Sequence, residues 1–174
     1  MNVFTRASIV TLAAVIACLG EALAQPANFG CTASPSPALT QTLTCNGGIT
    51  IVVESGAQFT LLDRDRNGRV DAVDLQSKAV LVNVPKQKGG RRFEVLTPQA
   101  IAAVRGTEWA VDAEGNKTSV FVQAGRVGVR RPARPGSVTL SPGDGVDVDT
   151  TATPLVVRRW PDARVAALMA RLGR

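Results

Sequence analysis

The chain has 174 residues, 45 % of them hydrophobic, and carries 20 Lys and Arg against 14 Asp and Glu for a formal net charge of +6. That is enough apolar content for one domain with a real core. There is no His and no Tyr, which removes the commonest general base, every Ser-His-Asp triad and every zinc site built on imidazole.

Residues 1–24 have the build of a secretory signal peptide. Arg6 gives a positive start, Ala7 to Leu19 is an uncharged apolar run too short to span a bilayer, and Ala22-Leu23-Ala24 is a small-x-small cleavage site. Cleavage after Ala24 would deliver the protein to the periplasm or the medium. An uncleaved anchor is one alternative. Another is lipidation at Cys18, since Val15-Ile16-Ala17-Cys18 is similar to a lipoprotein box. The leader holds one Arg and one Glu, so the rest of the chain keeps the charge of +6.

Residues 25–48 are rich in Pro, Ser and Thr (Pro35, Pro37, Thr40, Thr42, Thr44). They contain Cys31 and Cys45, the two cysteines left after cleavage. An even count in an oxidising compartment reads as one disulfide, stapling this segment to the first strand.

From Ile49 to about residue 150 the chain is a series of short β-like runs cut by Gly, Pro and charged turns. Expected strands are Ile49–Glu54, Gln58–Leu62, Ala79–Val84, Arg92–Leu96, Glu108–Ala113, Thr118–Gln123, Arg126–Val129, Ser137–Leu140 and Val146–Val148. Glu114-Gly115-Asn116 reads as a hairpin turn between two of them. Many short strands at this spacing predict an all-β domain: a twisted sheet, a β-solenoid-like coil, a barrel or a sandwich. In residues 151–174 the pattern changes. After Trp160-Pro161-Asp162, the positions Val165, Leu168, Met169 and Leu172 fall on one face of a short amphipathic helix. Packing back on the β-domain is the preferred reading, because one apolar stripe is what a docked helix needs. A partner-binding or membrane-surface helix, with Arg164, Arg171 and Arg174 outward, is the alternative.

Residues 63–74 interrupt the strand pattern with Asp-Arg-Asp-Arg-Asn-Gly-Arg-Val-Asp-Ala-Val-Asp. The spacing is that of a twelve-residue calcium loop. Asp63, Asp65 and Asn67 would supply side-chain oxygens, Arg69 its carbonyl, Asp71 a direct or water-mediated contact, and Asp74 the closing carboxylate. Gly68 permits the turn, and Val70 is the expected apolar contact to the core. The flanks are not those of an EF-hand: Val52-Val53-Glu54-Ser55-Gly56 is a poor helix, and the last position is Asp rather than Glu. The loop is more similar to the single calcium loops of dockerins, or to loops set between strands. Arg64, Arg66 and Arg69 offset the four carboxylates, so modest affinity for Ca²⁺ is expected, with the ion clipping a surface turn. A polar Asx-rich turn without metal is the alternative.

There is no Gly-x-Ser-x-Gly, no Cys-x-x-Cys and no phosphate-binding Gly loop. Glu94, Glu108, Asp112 and Glu114 are scattered over strands, and nothing points to the facing pair a glycosidase needs. A non-enzymatic role is expected; an envelope carbohydrate-active enzyme rests on no positive sign. Aromatic content is 4 %, which gives few stacking platforms, and export makes nucleic acid a poor fit as partner. Arg91, Arg92, Arg130, Arg131, Arg134, Arg158 and Arg159 crowd the second half. They form either a patch for anionic lipid, lipopolysaccharide or peptidoglycan, or a solvated face.

One stretch is more specific. Phe93-Glu94-Val95-Leu96-Thr97-Pro98 is followed by Ala100-Ile101-Ala102-Ala103-Val104-Arg105-Gly106-Thr107-Glu108-Trp109-Ala110-Val111. Then come Thr118–Val122, Gly125-Arg126-Val127-Gly128-Val129 and Val138-Thr139-Leu140-Ser141-Pro142-Gly143-Asp144-Gly145. Phe93 to Val148 resembles the FecR domain, the periplasmic part of ferric-citrate-type regulators, with a looser match from near Ile49. The resemblance implies a twisted β-sheet or solenoid-like module, with Thr97, Pro98, Arg105, Gly106 and Thr107 as its motif residues. Arg105 is expected to be a half-buried corner clamp on carbonyls or on Glu94 or Asp112. A contact for a receptor is the other reading. Family regulators carry a cytoplasmic anti-sigma region and a membrane helix before this domain, whereas here a signal peptide precedes it. The expectation is therefore a free-standing sensing or interaction module with a periplasmic or outer-membrane protein partner. A structural envelope protein attached through its basic face is the alternative.

Overall fold

The computed structural model describes residues 29–36, 40–86 and 92–174. The expected signal peptide with its cleavage site, Cys18, Pro37 and Arg91 lie outside the described residues.

The first elements are β1 (Cys31–Ser36) and β2 (Thr40–Cys45), an antiparallel hairpin. Cys31 faces Cys45 in the register and is disulfide-bonded to it, with an S–S distance of 2.09 Å. The segment read as a Pro/Ser/Thr-rich lead-in thus contributes two strands. Thr40, Leu43 and Cys45 of β2 are buried, and β-branched Thr suits a pleated strand as Val does. β1 pairs only with β2 among the described residues, so it is an edge, where a Pro interrupts no inner ladder.

Next come β3 (Ile49–Glu54), β4 (Gln58–Leu62) and β5 (Ala72–Val84). β5 is seven residues longer at its start than Ala79–Val84, and it begins inside the presumed loop. Its first part pairs with β4 and, in parallel, with β6 (Phe93–Leu96); its second part pairs with β3 and β8 (Thr107–Glu114). The change of partners falls at Lys78, whose φ of 64° is left-handed. One continuous sheet curls on itself there.

The smaller half runs β11-β10-β7-β6-β5, with β4 on β5. It adds β7 (Ile101–Val104), β10 (Val127–Arg130) and β11 (Ser137–Leu140). β7 was not among the expected strands; Ala102 and Ala103 carry no β-propensity of their own, and its place is set by pairing with β6 and β10. The larger half holds β1, β2, β3, β5, β8, β9 (Lys117–Ala124), β12 (Asp144–Asp149) and β13 (Arg158–Arg159). The Gly115-Asn116 turn joins β8 to β9 as expected. Every pairing but β5 with β6 is antiparallel, so repeated parallel coils do not build this domain.

Inward residues of both halves form one core: Val73, Leu75, Val95, Val104, Val127 and Val129 from the smaller half, and Ile51, Val80, Val82, Trp109, Val111 and Val122 from the larger. The outward residues of the larger half, Val52, Ala79, Leu81, Ala110 and Phe121, form a second cluster with Trp160 and α1 (Asp162–Arg171). Leu168, Met169 and Leu172 are buried in it and Val165 partly so. The helix stripe is therefore spent on packing. Phe121 and Trp160 stack at 5.2 Å, and Arg164 lies 3.6 Å over the Trp160 ring. Arg171 then clamps the helix end to β3 and β8, donating to Glu54 at 2.7 Å and to Asp112 at 2.7 Å. These contacts hold the Arg171 guanidinium further above its ordinary range, through Asp112 first and then Glu54, against the opposing effect of burial.

Candidate functional site

The turn between β4 and β5 is organised by its own Asx groups. Asp63 accepts from the backbone N–H of Asn67 at 3.0 Å and of Gly68 at 2.7 Å, and Asn67 accepts from Arg69 N–H at 2.9 Å. Gly68 has φ +78°, and Val70 is buried, as its position implied. Carboxylate oxygens of Asp63, Asp65 and Asp71 lie within 4.8 Å of one another. Asp74 is not brought to them. It sits within β5, opposite Thr60, and accepts from Gln76. An EF-hand loop closes on its twelfth position by turning into a helix. Here the chain extends from Ala72, and a strand advances about 3.3 Å per residue, away from the turn.

Asp71 has another partner. Arg64 donates to it from the backbone at 3.2 Å and from Nε at 3.3 Å, and its Nη1 reaches Glu94 of β6 at 2.9 Å. Burial alone would lower the Arg64 pKa, but Glu94 and then Asp71 outweigh it and raise it. One arginine thus ties the turn to the outer face of the smaller half-sheet and neutralises Glu94.

The motif residues divide into two kinds. Thr97 closes the β6–β7 turn: its N–H donates to Ala100 O at 2.8 Å, and its hydroxyl accepts from Ala100 N–H at 2.9 Å. The same hydroxyl bonds Thr118 at 2.8 Å, and Thr118 donates to Gln99 at 3.0 Å, all buried. Pro98 is the exposed tip. Gly106 has φ +67°, and a Cβ there would stand 2.2 Å from Lys86 Cγ. Thr107 donates to Arg126 O at 3.1 Å. Arg105, expected as a clamp, is instead exposed and makes no hydrogen bond or ion pair with the described residues. Its expected partners are taken, Glu94 by Arg64 and Asp112 by Arg171.

Arg105 belongs to a feature the sequence reading missed. On the outer face of β6, β7 and β10 lies an open trough of about 390 Å³. Ala103 and Gly128, opposite each other in register, make its floor, and Arg92, Arg105, Arg126 and Arg130 stand around it, all exposed. Gly128 inside a Val-Gly-Val strand was the available signal, since a strand glycine marks a place that something approaches closely. Arg131, Arg158 and Arg159 do not line the trough. Arg131 pairs with Asp149, Arg159 donates to Pro142 O at 2.6 Å, and Arg158 is on β13 of the other half.

A curled, almost wholly antiparallel sheet with one helix covering its larger half defines the class of protein: an all-β domain with no catalytic constellation among the described residues. Residues 37–128, more than half of the chain, match the family model described as FecR protein, and the chain belongs to that family. The match begins ahead of Ile49 and ends at Gly128, short of Val148. Two crystal structures of a protein from Parabacteroides distasonis ATCC 8503, described as a candidate anti-sigma factor, share the fold with TM-scores of 0.59 and 0.60 at 22 % identity. The alignment covers 75 % of this chain, and the chain spans 60 % of the length of those structures. No curated protein matches the chain. No helix among the described residues is long and apolar enough to cross a membrane.

Proposed function

We propose that the protein is an exported, non-enzymatic FecR-domain module that binds a protein partner of the cell envelope and serves in cell-surface signalling. The observation that carries this reading is the FecR match over residues 37–128. The anti-sigma description of the fold relatives agrees with it. So does the state of the carboxylates: Glu94, Glu54, Asp112 and Asp147 each hold an arginine, and none is left paired with another acid over a cleft. The free side of β11, which pairs only with β10 among the described residues, offers backbone N–H and C=O groups to a partner strand. Residues 1–24 would direct export, with cleavage after Ala24.

A photo-crosslinker placed at Thr139 on β11 tests the reading in cells. One envelope protein should be captured there and not from Ala166 on α1. Equal labelling from both positions, or none from Thr139, overturns it. In the same reading Ca²⁺ is held by Asp63, Asp65 and Asp71 and stiffens the turn before β5. Calorimetry with CaCl₂ should give saturable heat that Asp65→Asn removes; no heat and no melting shift would end that part.

A further inference from the structure

We infer that the arginine trough on the outer face of β6, β7 and β10 is a binding site for a phosphomonoester group. The inference does not rest on the protein-partner reading, and its test involves no protein partner.

Charge is the first argument. Arg92, Arg105, Arg126 and Arg130 line one trough and make no hydrogen bond or ion pair with the described residues. The single carboxylate in the lining, Glu94, is already neutralised by Arg64 at 2.9 Å. Like charges gathered without counter-charge repel, and an anion seated among them relieves that repulsion. A carboxylate ligand brings one charge. A phosphomonoester brings about −1.5 to −2 at neutral pH, and three strong acceptor oxygens that guanidinium forks match.

Shape is the second. The trough volume of about 390 Å³ is of small-ligand size. Its floor is kept low by Ala103 and Gly128, which lets a group settle against the strands between the arginines. A Cβ on Gly128 would meet nothing nearer than Ala103 O at 3.7 Å, so the fold does not require glycine there. Ile101, opposite Arg130, lines one end and is itself buried, so the recognition falls to the arginines.

The test is calorimetry on the full chain with glucose 1-phosphate, glucuronate and glucose. Glucose 1-phosphate should bind saturably, glucuronate about tenfold or more weaker, and glucose not at all. Arg126→Ala and Arg130→Ala should each weaken glucose 1-phosphate about tenfold, the size of a lost charged hydrogen bond. Gly128→Leu should abolish binding while moving the melting temperature by no more than about 2 °C, and Arg158→Ala on the other half should leave binding unchanged. Vesicle sedimentation separates the sources. Preference for phosphatidic acid over phosphatidylglycerol in phosphatidylcholine vesicles places the group on a lipid, and binding of glucose 1-phosphate without vesicle binding places it on a soluble ligand. Either supports the site. Equal binding of glucuronate, an unaffected Gly128→Leu variant, or a loss in Arg158→Ala as large as in Arg130→Ala overturns it.

Discussion

The two halves of the curled sheet share an inner core and differ on their outer faces. On the larger half the outward residues include Val52, Leu81 and Phe121, and a helix with Leu168, Met169 and Leu172 lies on them. On the smaller half they include Glu94, Ala103, Gly128 and Arg130, and no element of the described chain lies on them. The strand alternation is the same in both. What differs is the size and polarity of every second residue. Each large apolar side chain turned outward is worth about 1.5–3 kcal/mol once covered, so the larger half needs a lid and the chain supplies one. Ala and Gly turned outward need none, and the arginines around them stay hydrated until a ligand displaces that water.

The sharpest way to break this contrast is to damage the covered face. Leu168→Ala should cost about 2–4 kcal/mol, read from chemical denaturation, because it opens a cavity between α1 and β3–β8. A loss below about 0.5 kcal/mol would mean the helix is a loose appendage. Next in size is Arg171→Met, which keeps the side-chain length but leaves Glu54 and Asp112 without their shared cation. About 1–2 kcal/mol should be lost, since the arginine is one-third exposed and partly screened.

The third effect is smaller and depends on pH. Burial would raise the pKa of Asp147, but hydrogen bonds from Arg164 and Ser119 outweigh it and hold the carboxyl below its ordinary range. A folded pKa below the unfolded one stabilises above about pH 4, and that stability is lost as pH falls through the folded value. Asp147→Asn should therefore lower stability by about 0.5 kcal/mol near neutrality and flatten its fall on acidification below about pH 4. Melting curves across that range check both. The smallest effect belongs to the open face: Gly128→Leu should change stability by no more than about 0.5 kcal/mol.

The same two faces explain what was legible in the sequence. Regular alternation, the Gly115-Asn116 hairpin, the Cys31–Cys45 pair and the Val165–Leu172 stripe each rest on local chemistry, and each stands where it was expected. β1, β2 and β7 were missed because Pro and Ala carry little strand signal of their own, and these strands are fixed by pairing with β2, β3, β6 and β10. The turn of β5 at Lys78 has no local mark, since a lysine with positive φ is held by its surroundings. At the candidate site, the oxygen spacing of residues 63–74 was read as a calcium loop closed by Asp74; the structure has a turn there that gathers Asp63, Asp65 and Asp71, and the start of β5 takes Asp74 out of it. Arg105 was read as a clamp because sequence does not reveal that Arg64 and Arg171 had already engaged its carboxylates.

The most direct test of the contrast is to map where an anion lands. Amide shifts of the full chain should be followed by NMR as glucose 1-phosphate is added. Saturable changes are expected at Glu94, Ala103, Arg105, Gly128 and Arg130 on the open face, with none at Val52, Leu81, Ala110 or Phe121 beneath the helix. Changes spread evenly over exposed arginines such as Arg134 and Arg158, or none at all at Ala103 and Gly128, would contradict it.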